Sequence, residues 1–111
     1  MTTQDRLDYA HDLAEQINQQ STRMPNNQWL RGTDPNEFKK LYTVFCRTQD
    51  LKNLKMLLDR LIRSQFCRSK RTNIYYEHIR NVLEQNRVYQ LEVADAIEVL
   101  GWVGRLLKKQ N

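Results

Sequence analysis

The apolar side chains of residues 51–66 recur at helical spacing, and this pattern constrains the fold more than any other feature of the chain. The stripe contains Leu51, Leu54, Leu57, Leu58, Leu61 and Ile62, and Phe66 can extend it. Such a stripe stabilises a helix only when other elements bury it. Either Thr48 or Asp50 can cap this helix, because both side chains accept hydrogen bonds from free backbone N–H groups.

Four further segments show the same spacing. The first covers residues 3 to about 20, and the second begins at residues 34–37, where an aspartate, a proline and a glutamate form a strong start signal. A fourth helix follows Thr72 or Asn73, either of which can cap it, and the last covers about 91–108. Residues 1–111 are therefore predicted to form an all-α, single-domain bundle of about five helices.

Two stretches lack helical periodicity and predict loops. Residues 21–33 contain one proline, two asparagines and one glycine, and we expect Trp29 and Leu30 to hold this loop against the core. The second stretch, about residues 67–72, is polar and basic. Helix formers dominate elsewhere, since the chain has only three glycines and two prolines.

The last helical segment contains two of the three glycines, Gly101 and Gly104. Each costs up to about 1 kcal/mol relative to alanine inside a helix. Their presence predicts a close helix crossing or an early helix end. Trp102 lies between them and fits equally a core position or an anchor for a partner.

Several function classes find no support in the sequence. The N-terminus is polar and no apolar run is long enough to span a membrane, so we expect a cytoplasmic protein that does not enter one. Cys46 and Cys67 lack a metal-binding spacing, which favours reduced thiols and no metal. His11 and His78 fall on different predicted helices, and no phosphate-loop or nucleophile motif is present. We therefore expect no enzymatic activity and no cofactor.

The positive charge is concentrated in the middle of the chain. The net charge is +5 overall, but residues 1–38 carry −3, with three basic and six acidic side chains. Residues 39–80 carry +8, with eleven basic and three acidic side chains, and residues 81–111 are balanced. Clustered cations attract polyphosphate backbones through counterion release.

Seven of these cations are candidate nucleic-acid contacts: Lys52, Lys55, Arg60, Arg63, Arg68, Lys70 and Arg71. The first four lie outside the leucine stripe, and the other three belong to the predicted basic loop. Tyr76 is an eighth candidate, because it points about 100° away from Tyr75 and can stack on a base if it faces solvent. The competing interpretation of the charges is an ordinary solvated helix face.

Residues 37–47, with the sequence EFKKLYTVFCR, precede a basic leucine-rich helix. This arrangement, from about residue 34 onward, resembles the C-terminal helical region of the large subunit of type I-D CRISPR effectors, which is itself similar to the separately produced small subunit. The resemblance implies a non-catalytic subunit, present in several copies, in a crRNA-guided antiviral complex. Its partners would be the crRNA, the target or non-target DNA strand, and other subunits of the complex.

The leading hypothesis is therefore an assembly subunit that binds nucleic-acid backbone or a displaced strand through a basic face. The alternative is a helical protein-interaction adaptor, in which the basic face meets an acidic partner and the region of Trp102 forms an interface.

Overall fold

The computed structural model describes residues 1–64 and 69–108. These residues form five helices and a small antiparallel hairpin. In chain order the elements are α1 (Thr3–Gln19), β1 (Ser21–Arg23), β2 (Trp29–Arg31), α2 (Pro35–Thr48), α3 (Leu51–Arg63), α4 (Lys70–Gln85) and α5 (Val93–Leu106), with a 3-10 turn at Val88–Gln90. The predicted helical fold is confirmed, whereas the loop predicted at 21–33 contains the hairpin. Phe66, Cys67 and Arg68 lie outside the described residues.

Side-chain caps fix where the central helices begin. The carboxylate of Asp34 accepts a hydrogen bond from the Asn36 N–H at 2.9 Å, so α2 begins as predicted. Asp50, rather than Thr48, caps α3, and it accepts from the Lys52 N–H at 2.9 Å. These carboxylates satisfy backbone donors that have no partner within the helix.

The predicted start of α4 is wrong. Ser69 is the cap, because its hydroxyl accepts from the Thr72 N–H at 3.1 Å. The helix therefore begins before the predicted cap positions Thr72 and Asn73. Lys70 and Arg71 consequently belong to its first turn and not to a loop.

A hydrophobic core joins all five helices. Leu13 and Ile17 of α1, Phe45 of α2 and Leu58 of α3 are completely buried in it. Helices α1 and α5 pack along each other, and Arg6 links them at the edge of the core through Asp95, whose Oδ1 lies 2.8 Å from its Nε. No helix in the part of the chain that the structure describes is long and apolar enough to cross a membrane.

The two glycines of α5 mark a close approach to α2, as one of the two sequence interpretations predicted. A Cβ atom on Gly101 would lie 2.8 Å from the hydroxyl oxygen of Tyr42, while one on Gly104 would lie 3.5 Å from Phe38. The Tyr42 hydroxyl donates a hydrogen bond to the carbonyl of Ile97 at 2.9 Å. Burial raises the pKa of Tyr42 to about 12, which keeps this donor protonated.

The hairpin is attached to α4 by its inner face. Leu30 is buried there against Ile74 and Tyr75 of α4. Trp29 is 67% exposed, so the expectation that it holds this segment to the core is wrong; of the two predicted residues, Leu30 is the one that is buried. The cause is the alternation of a strand, which sends adjacent side chains to opposite faces.

His78 completes this attachment. It is 2% exposed, with Nδ1 2.6 Å from the carbonyl oxygen of Gly32 and Nε2 2.7 Å from the hydroxyl of Thr22. Because a carbonyl can only accept, Nδ1 carries a proton and donates to Gly32, while Nε2 shares a hydrogen bond with the Thr22 hydroxyl. Both nitrogens are therefore engaged in holding the hairpin.

Gly101→Ala should lower the free energy of unfolding by about 1–3 kcal/mol, because the new methyl group displaces the Tyr42 hydroxyl. Gly104→Ala is the matched control and should be neutral or stabilising by up to about 1 kcal/mol, since that site has ordinary contact distances. Urea unfolding followed by circular dichroism measures both. The penalty at Gly101 should shrink in a Tyr42→Phe background, and an undiminished penalty would contradict this explanation.

His78→Ala should destabilise the fold by about 2–3 kcal/mol, because it leaves the buried Gly32 carbonyl and the Thr22 hydroxyl without their partner. His11 is exposed, so His11→Ala should change stability by less than about 0.5 kcal/mol. The same unfolding measurement compares the two variants. Equal effects would show that the His78 hydrogen bonds contribute nothing to stability.

Candidate nucleic-acid interface

The outer surface of α3 carries the cations that the sequence predicted. Its leucines at positions 51, 54 and 58 are buried, which turns the other side of the helix outward. All four candidate cations of α3 are exposed: Lys52, Lys55, Arg60 and Arg63. We refer to these four residues as the α3 cations. Asp59 is the only acid in the helix.

The structure brings two of the α3 cations together at the C-terminal end of the helix. Arg60 and Arg63 line a shallow depression of about 220 Å³ with Met56 and Asp59. Met56 is 59% exposed and gives this depression an apolar floor. The arginines lie in the last turn, where cations interact favourably with the helix dipole. Their position therefore suits both the helix and an anionic ligand.

Asp59 forms a long ion pair with a residue of the neighbouring helix. Its Oδ1 lies 3.9 Å from Nη1 of Arg80, which belongs to α4. Both side chains are about 30% exposed, so the pair contributes little to stability. Its consequence is electrostatic, because Arg80 offsets the one negative charge of α3.

Lys55 lies over an aromatic ring at the other edge of this surface. Its Nζ is 5.7 Å from the ring centroid of Tyr89, within the range of a cation–π contact. The hydroxyl of Tyr89 is buried and has no hydrogen-bond partner among residues 1–64 and 69–108. Burial raises the pKa of Tyr89, so the phenol stays neutral beside the lysine.

The first turn of α4 carries Lys70 and Arg71, which are both exposed. This turn contains no acid, although the positive end of the helix dipole favours one there. Two cations at this position cost stability on their own, and a bound anion would offset that cost. The arrangement is thus better suited to a ligand than to the isolated helix.

A groove of about 800 Å³ connects the start of α4 with the hairpin. Lys70 lines it from α4 and Arg23 from the hairpin, while Ile62 lines it from the end of α3. Glu77 is the acid among its lining residues. The groove therefore runs from the end of α3 and the first turn of α4 to the hairpin.

Two of the eight predicted contacts are not among the exposed residues that the structure describes. Arg68 lies outside the described residues. Tyr76 is 3% exposed and its hydroxyl lies 2.5 Å from Oε2 of Glu37, so the prediction that it faces solvent is wrong. The reason is that α4 is covered from two directions: Tyr75 packs against the hairpin, whereas Tyr76 packs into the main core.

The remaining titratable groups do not converge on a reactive centre. No three His, Cys, Asp or Glu side chains within residues 1–64 and 69–108 lie close enough to hold a metal ion. His11 is exposed on α1, and both nitrogens of His78 are engaged with the hairpin. The exposed cations can attract anions electrostatically.

Tyr89→Phe should raise the free energy of unfolding by up to about 1 kcal/mol, because it removes a buried hydroxyl that has no partner. The matched control is Tyr9→Phe, which removes the hydroxyl that donates to the Asn86 carbonyl and should cost about 1 kcal/mol. Thermal and urea unfolding of the two variants provide the comparison. A loss of stability in Tyr89→Phe equal to that of the control would contradict the assignment of an unpartnered hydroxyl.

Comparison with known proteins adds no assignment to this surface. No protein-family model, curated protein or solved structure matches the chain. The charges, exposure and contacts of the chain's own residues are therefore the basis for proposing a function.

Proposed function

We propose that this protein is a non-catalytic subunit that binds the sugar-phosphate backbone of nucleic acids. The observation that carries the proposal is the α3 surface, where four exposed cations lie outside the stripe of buried leucines. The single acid of that helix faces Arg80. Lys70 and Arg71 add positive charge at the start of the next helix.

The proposed binding is to backbone rather than to base sequence. Lysine and arginine side chains on a convex helix surface neutralise phosphates and release counterions, which gives affinity without sequence information. Arg60 and Arg63 can offer bidentate hydrogen bonds to phosphate oxygens. Lys52 and Lys55 would act as point charges farther along the helix.

The resemblance to the small helical subunits of CRISPR effectors supplies the proposed biological setting. In such complexes guide pairing reads the sequence, so a subunit needs only to hold backbone or displaced strand. The proposed partners are accordingly the crRNA, a target or non-target DNA strand, neighbouring subunits and further copies of the chain.

A second candidate function is that of a protein-interaction adaptor. Trp102 is 38% exposed and its ring lies 5.1 Å from the guanidinium carbon of Arg105. Tryptophan and arginine are enriched in protein interfaces. An adaptor would retain its partner after nuclease treatment of a native lysate, whereas a nucleic-acid-bridged assembly would lose it.

Arg60→Gln combined with Arg63→Gln tests the proposal with labelled single-stranded RNA or DNA over a series of salt concentrations. For single strands, each phosphate contact contributes about 0.7 to the slope of log affinity against log salt. Removal of two contacts should therefore reduce the slope by about 1.4. Glutamine keeps a polar side chain that can donate hydrogen bonds, while it removes the charge.

The control variant, Arg87→Gln with Arg105→Gln, changes net charge equally at two exposed positions outside the proposed surface. It should leave the salt slope near that of the unaltered protein. Equal slopes for the two double variants would refute the assigned surface. Binding by the unaltered protein that is absent at low salt, or indifferent to salt, would overturn the proposed function itself.

A further inference from the structure

We propose that the outer face of the hairpin is a stacking platform for an unpaired base, formed by Trp29 between Arg23 and Arg31. The proposal deepens the proposed function, on which it rests, because it specifies single-stranded nucleic acid as the ligand. None of these three residues belongs to the basic middle of the chain.

The register of the hairpin brings the three side chains to one face. Arg23 is the cross-strand partner of Trp29, and Arg31 lies two residues beyond Trp29 on the same strand. The Met24 N–H donates to Gln28 O and the Gly32 N–H to Gln20 O, both at 2.8 Å.

Those bonds identify Arg23–Trp29 as a non-hydrogen-bonded pair, because paired and unpaired positions alternate along an antiparallel ladder. Such residues have Cα atoms only about 4.5 Å apart, with their side chains on the same face. The side chains of Arg23 and Trp29 therefore leave the hairpin on the same face, from directly opposite positions.

The exposure of this face is the reverse of that of the inner face. Trp29 is 67% exposed and both arginines are exposed, whereas Leu30 between them is 7% exposed. The indole is thus largely open to solvent among the described residues. Since His78 and Leu30 hold the inner face, the outer face is presented by a strand pair that is fixed to α4.

The charge on this face matches a polyphosphate. Residues 21–33 contain two arginines and no acid. Neither arginine forms an ion pair with a carboxylate within residues 1–64 and 69–108. Nη2 of Arg23 lies 2.8 Å from Oδ1 of Asn27, which orients the guanidinium at the tip of the hairpin.

An exposed indole flanked by unpaired cations combines the two parts of single-strand recognition, namely base stacking and phosphate neutralisation. The fourth residue of this face, Ser21, is polar, so the face offers little apolar area to a protein partner beyond the indole itself. A duplex would satisfy only the arginines, because its bases are already stacked. The chemistry of the face therefore favours an unpaired strand.

The groove between the hairpin and α4 is lined both by a residue of this platform and by a cation of α4. Arg23 and Lys70 line the same groove, and Ile62 at its wall is adjacent to Arg63. A phosphate in the groove could contact both Lys70 and Arg23, and Arg23 is also the cross-strand partner of Trp29. The two surfaces would then act on one ligand.

The test uses the fact that the chain has two tryptophans, so that Trp102→Phe leaves Trp29 as the only indole. An oligothymidylate of about 15 nucleotides, comparable to known single-strand site sizes, is titrated into the full chain. Trp29 emission should be quenched in proportion to the bound fraction measured independently by anisotropy. A duplex of the same length should bind with much less quenching.

Trp29→Ala should weaken binding of the oligothymidylate about five-fold or more and leave duplex binding unchanged, given the usual contribution of one stacked base. Trp102→Ala is the matched control and should leave single-strand affinity unchanged. Both indoles are exposed, and unfolding midpoints confirm that each variant folds.

The outcomes separate this inference from the proposed function. Unchanged Trp29 emission at saturating oligonucleotide, or equal affinities for the two alanine variants, would overturn the platform while leaving backbone binding by α3 in place. Emission that changes with protein concentration alone would assign the face to contact between copies of the chain, and would also overturn it. Absence of any oligonucleotide binding at low salt would overturn both.

Discussion

Burial of the leucine stripe of α3 is the constraint on which the rest of the molecule depends. Leu54 and Leu58 pack against Phe45 of α2, Ile79 of α4 and Leu100 of α5. Each buried leucine contributes about 2 kcal/mol, so rotation of α3 about its axis would forfeit several kcal/mol. The orientation of the helix is thereby fixed, and with it the outward direction of its cations. A surface of this kind is preorganised by the core beneath it.

The parts of this arrangement that could be predicted are those for which local sequence and burial agree. Helical spacing located all five helices, and Asp34 and Pro35 located the start of α2, because capping and proline geometry are local effects. The exposure of Lys52 and Arg63 followed from the position of the leucines on the same helix. The close approach at Gly101 was indicated by the cost of a glycine inside a helix, although its partner, Tyr42, was not.

The hairpin could not be predicted, because its strands have only three residues each and too few alternations to form a pattern. It is held instead by a contact between distant parts of the chain, that of His78 with Thr22 and Gly32. The burial of Tyr76 escaped prediction for the same reason. A helix that packs against one neighbour needs a single apolar face, and that face can be recognised in its sequence. Helix α4 packs against both the main core and the hairpin, and its own sequence does not specify the contact with the hairpin.

The surroundings of the first turn of α4, which carries Lys70 and Arg71, depend both on a local cap and on the hairpin from a distant part of the chain. Ser69 caps α4 without adding negative charge, so the first turn keeps two cations next to the positive end of the dipole. A sequence under pressure only for stability would favour an acid there. The same turn forms one wall of the groove that leads to the hairpin. A phosphate in this groove would be attracted by the positive end of the dipole and by Lys70 together.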